Sequence, residues 1–152
     1  MGFSLVEILV STVMVGLVLT AVATVMTLSI KNAAQARYRE TATQLAQAGM
    51  EFFNRENALL SWSSFAGFFP ENANTYCLEA LPAATQLATI NPGTCSAIET
   101  LQENGGVFTR QAIVSKSATN ATDLQVSVIT SWEDGARTVT VDVTKVFRKL
   151  AN

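Results

Sequence analysis

The chain has no histidine, and its 152 residues include only two cysteines and three prolines. Without histidine it cannot form a Ser-His-Asp triad, and most transition-metal sites lose their usual ligand. Two cysteines are too few for a four-cysteine zinc cluster. No Gly-x-Ser-x-Gly elbow, P-loop or metal-spaced cluster occurs in the sequence. We therefore expect no catalytic residue, no metal site and no cofactor, and a protein that is not an enzyme.

Charge is also scarce, and the two signs nearly balance. Ten Lys and Arg stand against 12 Asp and Glu, a formal net charge of −2. This balance gives no global basic field of the kind that attracts nucleic acid. Lys145, Arg148 and Lys149 surround Phe147 near the end of the chain, a thin version of the pattern that binds single-stranded DNA. DNA is a possible partner that the composition does not support.

Hydrophobic residues are concentrated near the N-terminus. In residues 3–30 the only ionisable side chain is Glu7, and the run contains no proline. The run exceeds the ~20 residues that a helix needs to cross the hydrocarbon core of a bilayer. A helix is expected because lipid offers the backbone no hydrogen-bond partners. A carboxylate in that setting costs about 2–3 kcal/mol even on lenient scales, so Glu7 requires an explanation.

Two explanations give Glu7 no special role. In a plain single-pass anchor, Glu7 lies close enough to the helix end to snorkel to water. In a cleavable signal, processing would follow the small residues Ala21-Val22-Ala23. That alternative needs a basic leader and an apolar core of about 7–15 residues. Only Met1 and Gly2 precede this run, which is longer and contains an acid, so the signal is the weaker alternative.

The segment Gly2-Phe3-Ser4-Leu5-Val6-Glu7 resembles the processing site of type IV prepilins and type II secretion pseudopilins. The resemblance implies that a prepilin peptidase cuts after Gly2 and methylates the new amine of Phe3, leaving residues 1–2 as a residual leader. Glu7 lies one helical turn after Phe3, where it can pair with that amine or with the amine of a neighbouring subunit during assembly. The helix dipole also favours an anion in the first turns.

The resemblance further implies a location and partners. Before assembly the protein would span the inner or cytoplasmic membrane once, with its head outside the cytoplasm, and after assembly it would lie in a cell-surface filament. The expected partners are other pilin subunits, the prepilin peptidase and the inner membrane. The positive-inside rule alone indicates the opposite orientation, because Lys31, Arg37 and Arg39 follow the span. We follow the resemblance, with which the cysteines agree.

Residues 3–30 are expected to be the transmembrane and filament-core half of a long helix, and residues 31–60 its amphipathic half. Apolar residues in the second half recur three or four positions apart, which predicts one buried face: Tyr38, Ala42, Leu45, Gly49 and Phe52. Residues 107–150 alternate and carry the turn signal Asp134-Gly135, which predicts an antiparallel sheet. The predicted fold class is α+β, a long N-terminal helix packed on a small antiparallel sheet, as in pilins.

Residues 61–106 show no regular pattern, and the resemblance implies that they are the variable loop region of a pilin-like head. Cys77 and Cys95 lie in this region. In an exported head they suggest a disulfide that closes a loop of about 17 residues and stabilises the fold by about 3 kcal/mol. Two buried free thiols are the alternative.

The predicted function is that of a structural subunit of a type IV pilus or related filament. Residues 45–56 and 126–143 also resemble minor pilins and small pseudopilins, and both cysteines lie centrally rather than near the C-terminus. A minor subunit is therefore favoured, with a major one left open. One alternative is a single-pass membrane-anchored extracytoplasmic domain that acts as an adhesin or DNA receptor. A membrane-tethered enzyme is the weakest alternative.

Overall fold

A computed structural model describes residues 4–116 and 123–149 of the chain. The chain divides into two compact units, Met1–Arg37 and Tyr38–Asn152, and we call the second unit the head. The helix α1 (Leu5–Leu59) contributes residues to both units, and a short helix α2 (Trp62–Phe68) follows it. The first unit is described by α1 alone, whereas the head also contains a sheet.

The head builds its sheet from six strands, each antiparallel to its neighbours. The strands are β1 (Asn74–Cys77), β2 (Asn91–Pro92), β3 (Leu101–Glu103), β4 (Gly106–Lys116), β5 (Asp123–Asp134) and β6 (Arg137–Arg148). Their order is β2-β1-β4-β5-β6, and β3 pairs with β4 beside this path. The α+β class predicted from the sequence is confirmed.

The hairpin between β5 and β6 forms at the predicted turn. Asp134 pairs with Arg137, so the loop contains only Gly135 and Ala136. Gly135 has a φ of +67°, and glycine adopts this conformation without steric cost. A positive φ at the first loop position suits a two-residue hairpin of type II′, whose twist matches that of the strands.

Residues 61–106 contain more regular structure than the sequence pattern indicates. Besides α2 they form three short strands of the sheet and a 3-10 helix at Leu87–Thr89. α2 begins after Ser61, whose side chain accepts a hydrogen bond from the Ser64 amide at 3.3 Å. The short strands pair with partners distant in sequence, for example Asn74 with Val114, so local periodicity does not reveal them.

The predicted buried face of α1 is confirmed within the head. Ala42, Gly49 and Phe52 are buried, and Tyr38 and Leu45 are half-buried. The polar residues on the opposite side of the helix are exposed: Glu40, Gln44, Gln47 and Glu51. The buried face belongs to the main core, which it shares with α2 and the long strands through Phe52, Phe53, Phe65, Leu124, Val126, Val128 and Phe147. A second cluster joins Ala42 to Phe108 and Trp132.

Candidate functional site

The N-terminal part of α1 is exposed on every side. Its large apolar side chains are exposed along the whole stretch from Leu5 to Ile30. Leu5 is 79 % exposed and Ile30 is 71 % exposed. A helix that is hydrophobic all round is stable only when something apolar surrounds it, such as lipid or other helices. In the described part of the chain, α1 is the one helix long and apolar enough to span a membrane.

The hydroxyl side chains of this segment are satisfied by the helix itself. Ser11 donates to the Glu7 carbonyl at 2.7 Å, and Thr27 donates to the Ala23 carbonyl at 2.6 Å. Thr12, Thr20 and Thr24 bond in the same way to carbonyls three or four residues earlier. Such bonds let hydroxyl groups enter an apolar surrounding without a water partner.

Glu7 differs from these hydroxyl groups. It lies in the first turn of α1, where its amide donates to the Ser4 carbonyl at 2.9 Å and its side chain is exposed. Within residues 4–116 and 123–149, no group donates a hydrogen bond to its carboxylate. Gly2 and Phe3, the predicted cleavage and methylation positions, lie outside the described residues. A carboxylate in an apolar helix therefore needs a cation or a donor from outside this part of the chain.

Cys77 and Cys95 form a disulfide, with their Cα atoms 4.8 Å apart. Cys77 ends β1, and Cys95 follows β2, which pairs with β1 through Tyr76 and Pro92. The described residues hold no free cysteine, so the free-thiol alternative does not hold. The bond closes the loop that carries the far edge of the sheet.

A buried cation in the head was missed by the sequence reasoning. Arg110 is only 4 % exposed, and its Nε and Nη1 atoms donate to the carbonyls of Leu78 at 2.9 Å and Leu45 at 3.2 Å. Burial lowers the pKa of its guanidinium to about 10. The sequence does contain a signal for this burial. Side chains alternate between the two faces of a strand, so Arg110 lies on the same face of β4 as Phe108 and Ala112, which are buried. Its bonds join β4 to α1 and to the residue that follows β1, which indicates a structural role.

A buried acid makes a second such connection. Glu56 is fully buried, and its Oε1 atom accepts from the Thr85 amide at 3.0 Å and lies 3.5 Å from Nε of Arg55. Arg55 also donates to the Pro82 carbonyl at 2.8 Å. The Oε2 atom of Glu56 has no partner among the residues that the structure describes. The pair holds the segment 82–85 against α1, and this contact is again structural.

No family model, no curated protein and no solved structure matches the chain. The strongest functional feature is therefore a property of the residues themselves: an exposed helix, apolar on every side, with one carboxylate in its first turn.

Proposed function

We propose that the protein is a structural subunit, most like a minor pilin or pseudopilin, of a type IV pilus or related filament. Prepilin peptidase cuts after Gly2 and methylates the amine of Phe3. The subunit spans the inner or cytoplasmic membrane once before assembly, with the head outside the cytoplasm. In the filament its partners are other pilin subunits.

The observation that carries this proposal is the N-terminal part of α1. Its apolar side chains are exposed all round, from Leu5 through Ile30, and Glu7 is the one charge among them. A filament core of packed identical helices and a bilayer are both apolar surroundings, so one helix can occupy each in turn. The resemblance of residues 2–7 to the prepilin processing site distinguishes this use from that of a plain anchor.

Charge pairing gives Glu7 a role that snorkelling does not. Cleavage after Gly2 creates a cationic amine on Phe3, four residues before Glu7. In an array of parallel helices displaced along their axes, the carboxylate of one subunit can meet the amine of the next. An uncompensated buried charge costs about 3–5 kcal/mol, and every added copy would repeat this cost. The pairing therefore favours addition of correctly placed subunits.

The test measures processing and incorporation in the native host. Intact-mass analysis of the wild-type protein should give a chain that begins at Phe3 and carries one additional methyl group. Glu7→Gln keeps the size and hydrogen-bonding groups of the side chain but removes its charge, and Glu7→Ala removes both. We expect both variants to be inserted and cleaved but to be at least tenfold depleted in sheared filaments relative to membranes.

Glu40→Gln is the matched control, because Glu40 is an exposed carboxylate on the same helix outside residues 3–30. It should enter filaments as the wild type does. Normal incorporation of both Glu7 variants would refute the pairing role. A wild-type chain that begins at Thr24 would instead establish a cleaved signal. A chain that remains unprocessed and membrane-bound would indicate a plain single-pass anchor instead.

A further inference from the structure

The sheet of the head ends in an open strand on each side. β6 is the last strand on one side. On the other side β3 pairs only with β4, so within residues 4–116 and 123–149 no strand lies along its outer edge. An open edge presents backbone N–H and C=O groups that can pair with another strand. Each of the two edges can therefore accept a strand from outside the head.

The two edges carry opposite charges. Residues 56–109, which include β1, β2 and β3, contain five glutamates and no lysine or arginine. Glu103 ends β3 and is exposed. Lys145 and Arg148 lie in the last part of β6, Lys149 follows it, and all three are exposed. A β6 edge therefore attracts a β3 edge, whereas two β6 edges carry charges of the same sign.

The residues of the two edges also alternate in a matching way. The segment Glu99-Thr-Leu-Gln-Glu103 places an acid, an apolar residue and an acid at every second position, and we call it the acidic segment. The segment Lys145-Val-Phe-Arg-Lys149 places a base, an apolar residue and a base at the same spacing, and we call it the basic segment. Antiparallel pairing of these segments sets an acid opposite a base at both ends. Opposite charges in facing positions stabilise a strand pair.

The faces of the two segments agree with this register. Leu101 pairs with buried Phe108, and Phe147 is itself buried, so both lie on the core face of the sheet. Alternate residues of a strand share a face, which places Glu103 and Lys145 on that face too. When the sheet continues from one head into the next, the facing charges thus lie on the same side of it.

The strand directions fit two heads that have the same orientation. β3 is antiparallel to β4, β4 to β5 and β5 to β6, so β3 and β6 of one head run in opposite directions. The β3 of a second head with the same orientation therefore approaches β6 antiparallel. Copies anchored in one membrane or one filament have heads with the same orientation, and in this respect the inference rests on the proposed function.

The position of β2 requires that the two heads be staggered along the strands. β2 lies one strand further out than β3, because it pairs with β1, which pairs with residues 111–114 of β4. β3 pairs with residues 106–108 of the same strand. Two heads at equal height would therefore meet at β2 before β3 reached β6. A stagger that sets the acidic segment against the basic segment places β2 beyond the end of β6.

We propose that heads of this chain join edge to edge, with the acidic segment of one copy paired antiparallel to the basic segment of the next. Glu103 faces Lys145, Gln102 faces Val146 and Glu99 faces Lys149. The contact uses different surfaces on the two copies and leaves one of each free. It therefore extends into a row of heads rather than closing into a dimer.

The charged groups are available for this contact. Nζ of Lys145 donates to Oδ1 of Asn54 at 2.7 Å, and an ammonium group has further donors for a carboxylate. No described residue donates a hydrogen bond to the exposed carboxylate of Glu103. The Ser96 amide donates to Oε2 of Glu99 at 2.7 Å, which lowers the pKa of Glu99 and keeps it charged.

The experiment uses the full-length protein in phosphatidylcholine vesicles, where neither cleavage nor filament assembly takes place. A photoreactive benzophenone amino acid replaces Gln102, which is exposed in the middle of β3. Unlabelled and isotope-labelled copies are mixed, so a product with one peptide of each kind joins two copies. We expect such products to contain residues 145–149, because Val146 faces Gln102 in the proposed register.

Charge reversal tests the pairing in the same cross-linking background. Glu103→Lys and Lys145→Glu each set like charges opposite one another and should lower the yield about fivefold. The two substitutions together restore an opposite pair and should recover most of the yield. Glu71→Lys is the matched control, because Glu71 is an exposed acid outside both segments, and it should leave the yield unchanged. Near-UV circular dichroism shows that each variant is folded.

Three results would overturn this contact: no product between two copies, products that lie outside residues 145–149, or a double variant no better than the single ones. Failure of the proposed function gives a different result. Cross-linking in vesicles together with an unprocessed wild-type chain in the host would support the contact and refute the pilin assignment. Processed protein whose filaments need Glu7 but whose heads do not cross-link would do the reverse.

Discussion

The two parts of α1 meet their surroundings in opposite ways. From Leu5 to Ile30 the helix is exposed and, apart from Glu7, apolar on every side, with Leu19 at 64 % and Val25 at 66 %. From Tyr38 onward one face is buried and the other is polar, with Phe53 at 0 % and Glu51 exposed. The sheet and α2 bury the apolar face of the second part. The apolar side chains of the first part are not buried by any described residue.

This difference teaches where the stability of each part comes from. Burial within the head contributes to the free energy of unfolding of the head. Core substitutions in the second part should therefore change that free energy. In the proposed function, lipid or neighbouring helices would cover the exposed apolar residues of the first part. Substitutions there should change insertion or assembly but leave the unfolding of the head unchanged.

The largest effect is expected from a pair of truncations, one in each part. Phe53→Ala removes a fully buried ring and should lower the free energy of unfolding of the head by about 3–5 kcal/mol. Leu19→Ala removes a side chain that is 64 % exposed and should leave it unchanged. Thermal melts followed by near-UV circular dichroism in micelles measure both. Equal losses of unfolding free energy for Phe53→Ala and Leu19→Ala would contradict this difference between the two parts of α1.

A smaller effect is expected from the disulfide. Cys95→Ala opens the loop that starts at Cys77 and should destabilise the head by about 3 kcal/mol. The helical signal of the first part of α1 should persist at temperatures where the variant head has melted. Wild-type protein treated with a reductant is the control and should melt as the variant does. A variant that melts with the oxidised wild type would show that the bond contributes nothing.

The smallest effect is expected from a Gly→Ala substitution, which can be made at two positions of α1 and compared. A Cβ atom at Gly49 would come 2.8 Å from Cγ1 of Val128 and 3.3 Å from Cδ of Arg110. Gly49→Ala should therefore destabilise the head by about 1–3 kcal/mol through overpacking. A Cβ atom at Gly16 meets nothing within 4 Å, so Gly16→Ala should leave the melting temperature of the head unchanged. A stabilised Gly49→Ala head would refute the close approach.

Much of this fold was predictable because its signals are local. The end of α1 at Leu59, its buried face and the β5–β6 hairpin all follow from periodicity and from one turn dipeptide. The β3–β4 hairpin has an equally local signal that the sequence reasoning did not use. Its loop is Asn104-Gly105, with φ angles of +50° and +78°, which suits a type I′ turn.

Other features could not be read locally. β1 and β2 are four and two residues long, too short for a period to show, and β1 pairs with residues 111–114. The unpaired Oε2 atom of Glu56 depends on how the segment near Thr85 folds back on α1. These features depend on contacts between residues that are distant in the sequence, and such contacts leave no local pattern.

The position of β6 in the sheet has a consequence for solubility. β6 is the last strand in the order, so in the described part of the chain its outer edge has no strand partner over twelve residues. Such an edge is a template for aggregation unless charge protects it. β6 carries Arg137, Lys145 and Arg148 against the single acid Asp142. Two copies that approach edge to edge therefore repel, and salt that screens these cations also weakens the protection.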